Sequence, residues 1–262
     1  MPFAENDKVK IYWEETGEGD PILLIMGLGW ASYMWHRTRK LLAEKYRVIT
    51  FDNRGVGRSD VPPGPYPIAT MAADAAAVLD AAHVKSTHLY GISMGGMISQ
   101  EFALQYPARV KSLILGCTAA GGPAALQPAP EVIQVLMQRG MSPQEAIEAI
   151  DPFIYEPGTS RELIAQDREL RLKWYPTAEG YISQLQGIMA WEAYSRLAQI
   201  AAPTLVIHGE GDQLIPPANA KLIAARIPHA ELVMIPAASH IFPTDQPKIT
   251  DETVLGFLSA QS

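Results

Sequence analysis

The sequence predicts an α/β fold, with a doubly wound, mostly parallel β-sheet and helices on both of its faces. Three observations lead to this prediction. Short apolar runs recur along the chain, helical patterns separate most of them, and a Gly-x-Ser-x-Gly motif joins one run to the next helix. An apolar run without alternation is typical of a strand buried on both faces, as in a parallel sheet. Such strands, when they alternate with helices, predict the doubly wound arrangement.

The core elements are predicted in the following order. Residues 8–13 have the pattern of an edge strand, and a glycine-rich turn at residues 16–20 precedes the first apolar run. Buried parallel strands are predicted at residues 22–26, 48–51, 87–90, 113–115, 205–207 and 232–235. Helices are predicted at residues 33–44, 71–83, 94–106, 217–226 and 247–260.

One long interval interrupts this alternation. Between residues 116 and 204 no buried-strand run occurs, and helical stretches are predicted instead at residues 131–139, 143–150, 161–172, 178–190 and 191–199. Ser142, Pro143 and Glu145 have the spacing of a helix start with a capping box. We expect residues 119–201 to form a helical cap over the strand ends, inserted into a core formed by residues 1–118 and 202–262. The alternative is that the insertion only enlarges the core.

Composition restricts the class of protein. The 262 residues carry a net charge of −7, with 48% hydrophobic and 19% charged residues, as in ordinary globular proteins. An acidic chain without a Lys/Arg cluster is predicted to bind neither nucleic acid nor an anionic membrane surface. The longest apolar run, residues 22–30, is too short to span a bilayer, and the first residues lack the pattern of a signal peptide.

The cysteine content indicates a reducing compartment. Cys117 is the single cysteine, so an intramolecular disulfide is excluded, and a cytoplasmic location is predicted. Its apolar surroundings in the sequence favour a small buried side chain over a nucleophile. The sequence leaves the oligomeric state open.

The Gly-x-Ser-x-Gly motif spans Gly91 to Gly95, after an apolar run and before a helical pattern that ends at Pro107. A strand that enters a helix through this motif forms a nucleophile elbow, whose tight turn requires glycines on either side of the serine. Ser93 would then lie at a helix N-terminus, where developing negative charge is stabilised. Because the pentapeptide arises by chance in roughly one chain in ten of this length, the alternative is a glycine-rich helix start that packs closely on the sheet.

A nucleophilic serine needs a general base, which a third group orients. His240 follows the last apolar run, on a loop at the carboxyl edge of the sheet, where ligands bind in open α/β sheets. Asp212, in Gly-Glu-Gly-Asp after another strand, is the predicted acid, and Glu210 is the alternative. Structural roles are predicted for the other histidines, which are His36, His83, His88, His208 and His229.

Together these motifs resemble the α/β-hydrolase family over essentially the whole chain. The order Ser93, Asp212, His240 is that of the family, and the segment Asp-Asn-Arg-Gly-Val-Gly-Arg-Ser at residues 52–59 matches as well. The chain is most similar to small capped esterases and lactonases, such as 3-oxoadipate enol-lactonases, anthracycline methylesterases and cofactor-free haloperoxidases. A serine nucleophile separates it from haloalkane dehalogenases and epoxide hydrolases, which carry aspartate. For residues 52–59 we predict a structural turn that Arg54 pins.

An oxyanion hole needs two backbone N–H groups. By the resemblance, Met94 supplies one of them and the loop after the first buried strand supplies the other. Family members usually have His-Gly-x in that loop, whereas this chain has Met26-Gly-Leu28-Gly. Leu28 is the predicted donor by position, with Gly27 and Gly29 as alternatives.

These features predict a serine hydrolase that uses no metal or cofactor and acts on small-molecule carboxylic esters or lactones. Trp191, in the aromatic-rich insertion, and Ile241, beside His240, are predicted to line an apolar pocket, although aromatic residues in helices often pack instead. Two alternatives stay open. One is a carbon–carbon bond hydrolase or perhydrolase on the same triad, and the other is a receptor-like ligand-binding protein with slow turnover.

Overall fold

A computed structural model describes residues 2–138 and 140–261. Its strands are β1 (Phe3–Asn6), β2 (Val9–Thr16), β3 (Asp20–Ile25), β4 (Tyr46–Phe51), β5 (Thr87–Ile92), β6 (Val110–Gly116), β7 (Thr204–Gly209) and β8 (Glu231–Ile235). They form one eight-stranded sheet in the order β1-β2-β4-β3-β5-β6-β7-β8. The pairs β1–β2 and β2–β4 are antiparallel, and the remaining neighbours are parallel. The predicted doubly wound, mostly parallel sheet is therefore confirmed.

Helices cover both faces of the sheet. They are α1 (His36–Leu42), α2 (Ile68–Ala81), α3 (Met94–Gln105), α4 (Pro130–Met137), α5 (Pro143–Ile154), α6 (Arg161–Lys173), α7 (Ala178–Ala190), α8 (Ala218–Arg226), α9 (Phe242–Asp245) and α10 (Pro247–Ser259). None of the helices in the described ranges has the length and apolarity needed to cross a bilayer.

The central strands are apolar throughout because both of their faces are buried. In β3, Leu23 and Ile25 pack into the apolar cluster formed with α2, α3 and α8. Ile22 and Leu24, which point to the opposite face, pack with α1 and α10. Side chains alternate between the faces of a strand, so a strand between two helical layers needs an apolar residue at every position.

The structure differs from the predicted elements at several ends. The helix predicted at residues 33–44 consists of a 3-10 segment, Ser32–Trp35, followed by α1. Only the 3-10 segment Tyr194–Gln199 is helical within residues 191–199. The helix predicted at residues 131–139 ends at Met137, and Arg139 lies outside the described residues. Strand β1 has no apolar run and becomes a strand by pairing with β2, which the sequence pattern does not predict.

Helices α4 to α7 occupy the interval between β6 and β7. The predicted capping box is confirmed, because Ser142 and Glu145 each accept a hydrogen bond from the backbone of the other at the start of α5. In α6, Asp167 accepts from Arg37 Nη1 at 2.6 Å, and in α7, Gln184 donates to the Arg54 carbonyl at 2.8 Å. These contacts place α6 and α7 against segments that follow the carboxyl ends of β3 and β4.

Candidate active site

Ser93 lies in a strained turn between β5 and α3. Its φ of 58° and ψ of −121° fall in a backbone region that residues other than glycine rarely adopt. A Cβ on Gly91 would lie 2.2 Å from the Gly95 carbonyl oxygen, and a Cβ on Gly95 would lie 2.0 Å from the Ile25 carbonyl oxygen. The turn can form only with glycine at both positions, which explains the Gly-x-Ser-x-Gly pattern.

The Ser93 backbone is fixed, whereas its hydroxyl is not engaged. The Ser93 N–H donates to the Gly116 carbonyl at 2.9 Å, and Thr118 Oγ1 donates to the Ser93 carbonyl at 2.7 Å. Among the described residues, no hydrogen-bond partner lies within 3.5 Å of Ser93 Oγ. The half-buried hydroxyl is thus held at the N-terminus of α3 without a competing interaction.

His240 and Asp212 form a buried pair on the loops after β8 and β7. His240 Nδ1 lies 2.9 Å from Asp212 Oδ2, while Asp212 Oδ1 accepts from the Leu214 and Ile215 N–H groups, both at 2.9 Å. Two backbone donors on one oxygen leave the other oxygen directed at the imidazole. His240 Nε2 makes no hydrogen bond to the described residues.

Asp212 is ionised despite its burial. Burial alone would raise its pKa, but the charge of His240 and the hydrogen bonds from His208 and His240 outweigh it and hold the pKa at about 2. The side chain of Glu210 is exposed. Of the two acids that the sequence offers in this loop, the structure therefore brings Asp212 into contact with His240.

A second histidine also contacts Asp212. His208 Nε2 lies 2.9 Å from Asp212 Oδ2 and 2.9 Å from the Ile215 carbonyl oxygen. Both neighbours are acceptors, so Nε2 carries the hydrogen. The sequence predicts a structural role for His208 within a strand, and the one sequence signal of its contact with the acid is the four-residue spacing to Asp212.

The loop at residues 26–30 lies beside the elbow. A Cβ on Gly27 would lie 3.1 Å from Ser93 Cβ, and the Gly29 N–H donates to Gln184 Oε1 at 2.9 Å. The backbone N–H groups of Leu28 and Met94 have no acceptor among the described residues. Gly29, one of the two alternatives to Leu28, is therefore a poor candidate for the oxyanion donor, because its N–H already donates to Gln184.

Met26 occupies the position where family members usually carry histidine. Its side chain is buried in the apolar cluster that contains Trp35 and Ile92. Its carbonyl accepts a hydrogen bond from Asn53 Nδ2 at 2.9 Å. The loop is thus supported by apolar packing and by one amide.

An apolar cavity adjoins His240. Its wall includes Ile241, as well as Met26, Trp30 and Ile92. Ile241 lines this cavity next to His240, and its predicted role in a substrate pocket stays a prediction.

Trp191 is not part of that cavity wall. It is 7% exposed, packs in the core, and donates from Nε1 to Glu101 Oε2 at 2.9 Å. These contacts favour a packing role for Trp191, and its predicted role in a substrate pocket stays a prediction.

Residues 52–59 are anchored at Asp52 and Arg54. Arg54 forms two 2.6 Å hydrogen bonds to the buried carboxylate of Asp74 in α2, and Asp52 Oδ1 accepts from the Ser32 N–H at 2.9 Å. These contacts are those of the structural turn expected for this segment.

One group of side chains in the described residues has ligand atoms close enough for a metal ion. Atoms of Cys117, Asp212 and His240 lie within 4.8 Å of one another. Burial raises the pKa of the Cys117 thiol, so the thiolate that a metal requires is disfavoured. Asp212 and His240 are already paired, and this set of donors fits a metal poorly.

Comparison with known proteins assigns the family. Residues 20–163 and 157–247 match the family described as having the alpha/beta hydrolase fold, so the chain belongs to this family. It is 33% identical to a candidate carbamate hydrolase, RutD, of Azorhizobium caulinodans, over 98% of each chain. It is 30% identical to 3-oxoadipate enol-lactonase 2 of Acinetobacter baylyi, over 94% of this chain and 92% of that one.

Solved structures give the same assignment. A thermophilic esterase from Thermogutta terrifontis superposes with a TM-score of 0.83 at 28% identity, over 97% of this chain and 94% of that chain. The predicted resemblance to the α/β-hydrolase family is confirmed, and the relatives support a hydrolase.

Proposed function

We propose that this protein is a serine hydrolase that cleaves carboxylic esters or lactones through an acyl-enzyme. The observation that carries the proposal is the buried His240–Asp212 pair, joined at 2.9 Å, on the edge of the sheet where the Ser93 elbow lies. An activated serine requires such an oriented base. The named enol-lactonase relative and the esterase neighbour support carbonyl chemistry at this edge.

In the proposed mechanism, Ser93 Oγ attacks the carbonyl carbon and His240 Nε2 accepts its proton. Asp212 accepts the Nδ1–H of His240 and stabilises the imidazolium, while the Leu28 and Met94 N–H groups bind the oxyanion. His240 then protonates the leaving alcohol and activates the water that hydrolyses the acyl-enzyme. Contacts between serine and base are often long without substrate and tighten in the complex, which fits the unengaged Ser93 hydroxyl.

The proposed substrate is small to medium in size and partly apolar. The small cavity beside His240, about 30 Å³, is lined mainly by apolar side chains and does not include Ser93, so it supports an apolar wall next to the base and is not itself large enough to hold a substrate. We also propose that residues 119–201 form a cap over this site. The contacts of α6 and α7 with segments at the carboxyl side of the sheet support that arrangement.

Carbamate hydrolysis is a second candidate reaction. The relative at 33% identity is a candidate carbamate hydrolase, and the same serine chemistry would pass through a carbamoyl-enzyme. Matched ester and carbamate pairs that share one alcohol separate the two reactions, because they differ only in the acyl group.

The test is a panel of p-nitrophenyl esters of graded chain length, lactones and matched carbamates. A serine-reactive phosphonate is expected to label Ser93 stoichiometrically, and Ser93→Ala is expected to lose nearly all turnover, because residual catalysis without the nucleophile is small. Hydrolysis that continues in a folded Ser93→Ala protein would contradict the proposed function.

A further inference from the structure

Gln184 is a buried polar side chain of α7 that contacts the loop proposed to bind the oxyanion. It is 0% exposed. Its Oε1 accepts from the Gly29 N–H at 2.9 Å, and its Nε2 donates to the Arg54 carbonyl at 2.8 Å. Because Gly29 N–H can only donate and the Arg54 carbonyl can only accept, the side-chain amide has a single orientation that satisfies both.

The contact with Gly29 restrains the peptide next to the proposed donor. Gly27 to Trp30 form a turn in which the Trp30 N–H donates to the Gly27 carbonyl at 3.3 Å, and Gly29 has a φ of +73°. The Gly27 carbonyl and the Leu28 N–H belong to one planar peptide and point in opposite directions. Whatever holds this turn therefore aims the Leu28 N–H, and the hydrogen bond at 3.3 Å is a long one.

The support behind Gln184 is rigid. Arg54, whose carbonyl receives Nε2, is fixed by two 2.6 Å hydrogen bonds to the buried Asp74. On α7, Gly180 and Gly187 lie on the same helical face as Gln184. A Cβ on Gly180 would lie 2.0 Å from the Gly55 carbonyl oxygen, and a Cβ on Gly187 would lie 1.8 Å from the Tyr66 carbonyl oxygen. Helix α7 therefore packs directly on backbone atoms at Gly180 and at Gly187, and Gln184 lies between these two glycines.

We infer that Gln184 is a positioning residue that orients the Leu28 N–H by holding the Gly27–Trp30 turn. It also engages the Gly29 N–H, so that Gly29 does not compete as a donor. The inference rests on the proposed function, since it assigns a role in stabilising the oxyanion. It makes a helix of the insertion part of the machinery that acts on the reacting carbonyl.

The test compares Gln184→Met with Gln186→Met. Methionine has a similar length and removes both hydrogen bonds, and Gln186 is an exposed glutamine of the same helix. Gln184→Met is expected to lower kcat by about 10- to 100-fold, somewhat less than the loss of an oxyanion donor. KM is expected to stay within about twofold, because the effect arises in the transition state. Gln186→Met is expected to match the unmodified protein.

A boronic acid inhibitor supplies the second measurement. Its tetrahedral adduct with Ser93 places a negatively charged oxygen at the proposed hole, so Gln184→Met is expected to weaken its Ki by about the same factor as kcat. If Gln184 had a purely structural role, Gln184→Met would lower Tm but would change neither kcat nor the boronate Ki of the folded protein. Unchanged kcat and unchanged Ki in folded Gln184→Met would overturn the inference.

Gln184→Asn keeps the experiment decisive if the methionine variant does not fold. Asparagine keeps a buried amide but is shorter by one methylene, so it cannot make both hydrogen bonds from the same backbone position, and it is expected to lower kcat and to weaken the boronate Ki by similar factors. Wild-type kcat and wild-type Ki in folded Gln184→Asn would contradict the role, since the contacts that hold the turn are then lost. Ser93→Ala separates the two hypotheses: if it is inactive while the Gln184 variants are normal, only the inference about Gln184 fails.

Discussion

At the scale of single residues, Asp212 is the most heavily engaged side chain of the candidate site. One carboxylate oxygen accepts two backbone N–H groups, and the other lies 2.9 Å from both His240 and His208. A buried carboxylate is stable only when its acceptor sites are filled in this way. The same contacts orient it, so His240 meets an acceptor of fixed position.

Asp212→Asn is therefore expected to lower kcat by about 10⁴-fold, as the comparable change does in serine proteases, because the amide can impose the wrong tautomer on His240. KM is expected to change little, and kcat on a p-nitrophenyl ester is the measurement. Glu210→Gln is the matched control and is expected to alter the rate by no more than a few-fold. The opposite ranking in two folded variants would assign the acid to Glu210.

At the scale of elements, the segment after α7 is joined to α3, the helix that begins directly after Ser93. Glu101 of α3 accepts from Trp191 Nε1 at 2.9 Å and from Arg196 Nη2 at 2.8 Å. Burial opposes the ionisation of Glu101, but the hydrogen bonds from Arg196, Trp191 and Gln105 outweigh it and lower its pKa. This charged cluster links the end of the insertion to the helix behind the nucleophile.

Trp191→Ala is expected to reduce the free energy of unfolding by about 3–5 kcal/mol, because it leaves a large cavity in the core. Trp191→Phe retains most of the packing but removes the N–H donor, and a smaller loss is expected. Urea titration measures both. A change in chain-length preference among esters, without a loss of stability, would instead support the predicted pocket role of Trp191.

At the scale of the whole molecule, the charge of Asp212 links the candidate site to global stability. Its pKa in the folded protein, about 2, lies below the ordinary 3.8, so the ionised form favours folding. This contribution is fully present above the unfolded-state pKa and is lost as the pH falls through the folded-state value. Its size is on the order of 2 kcal/mol.

The stability of the unmodified protein is thus expected to fall more steeply than that of Asp212→Asn between about pH 4 and pH 2. Denaturant unfolding at several pH values measures the difference. Burial raises the pKa of Asp74, which has the opposite effect on stability, but Asp74 is present in both proteins and cancels in the comparison. Parallel curves over this range would show that the charge of Asp212 does not stabilise the fold.

Much of the fold follows from local pattern. The apolar runs predict the central strands, because burial on two faces demands an apolar residue at each position. The glycines around Ser93 predict the elbow, because backbone atoms at 2.2 Å and 2.0 Å leave no room for a Cβ on Gly91 or Gly95. The weaker elements, such as β1, depend on pairing with a neighbour and leave no comparable signal.

The sequence by itself determined the α/β class, the position of Ser93 in the turn between a strand and a helix, and the loops that carry Asp212 and His240, since each of these follows from residues close together in the chain. Only the tertiary structure decided that Asp212 rather than Glu210 meets His240, and that His208 shares the same carboxylate. The contact between Gly29 and Gln184, which are 155 residues apart, is likewise decided only by the tertiary structure. No local sequence pattern predicts the hydrogen-bond partner of a polar side chain in a helix, because that partner depends on where the helix packs in the folded chain.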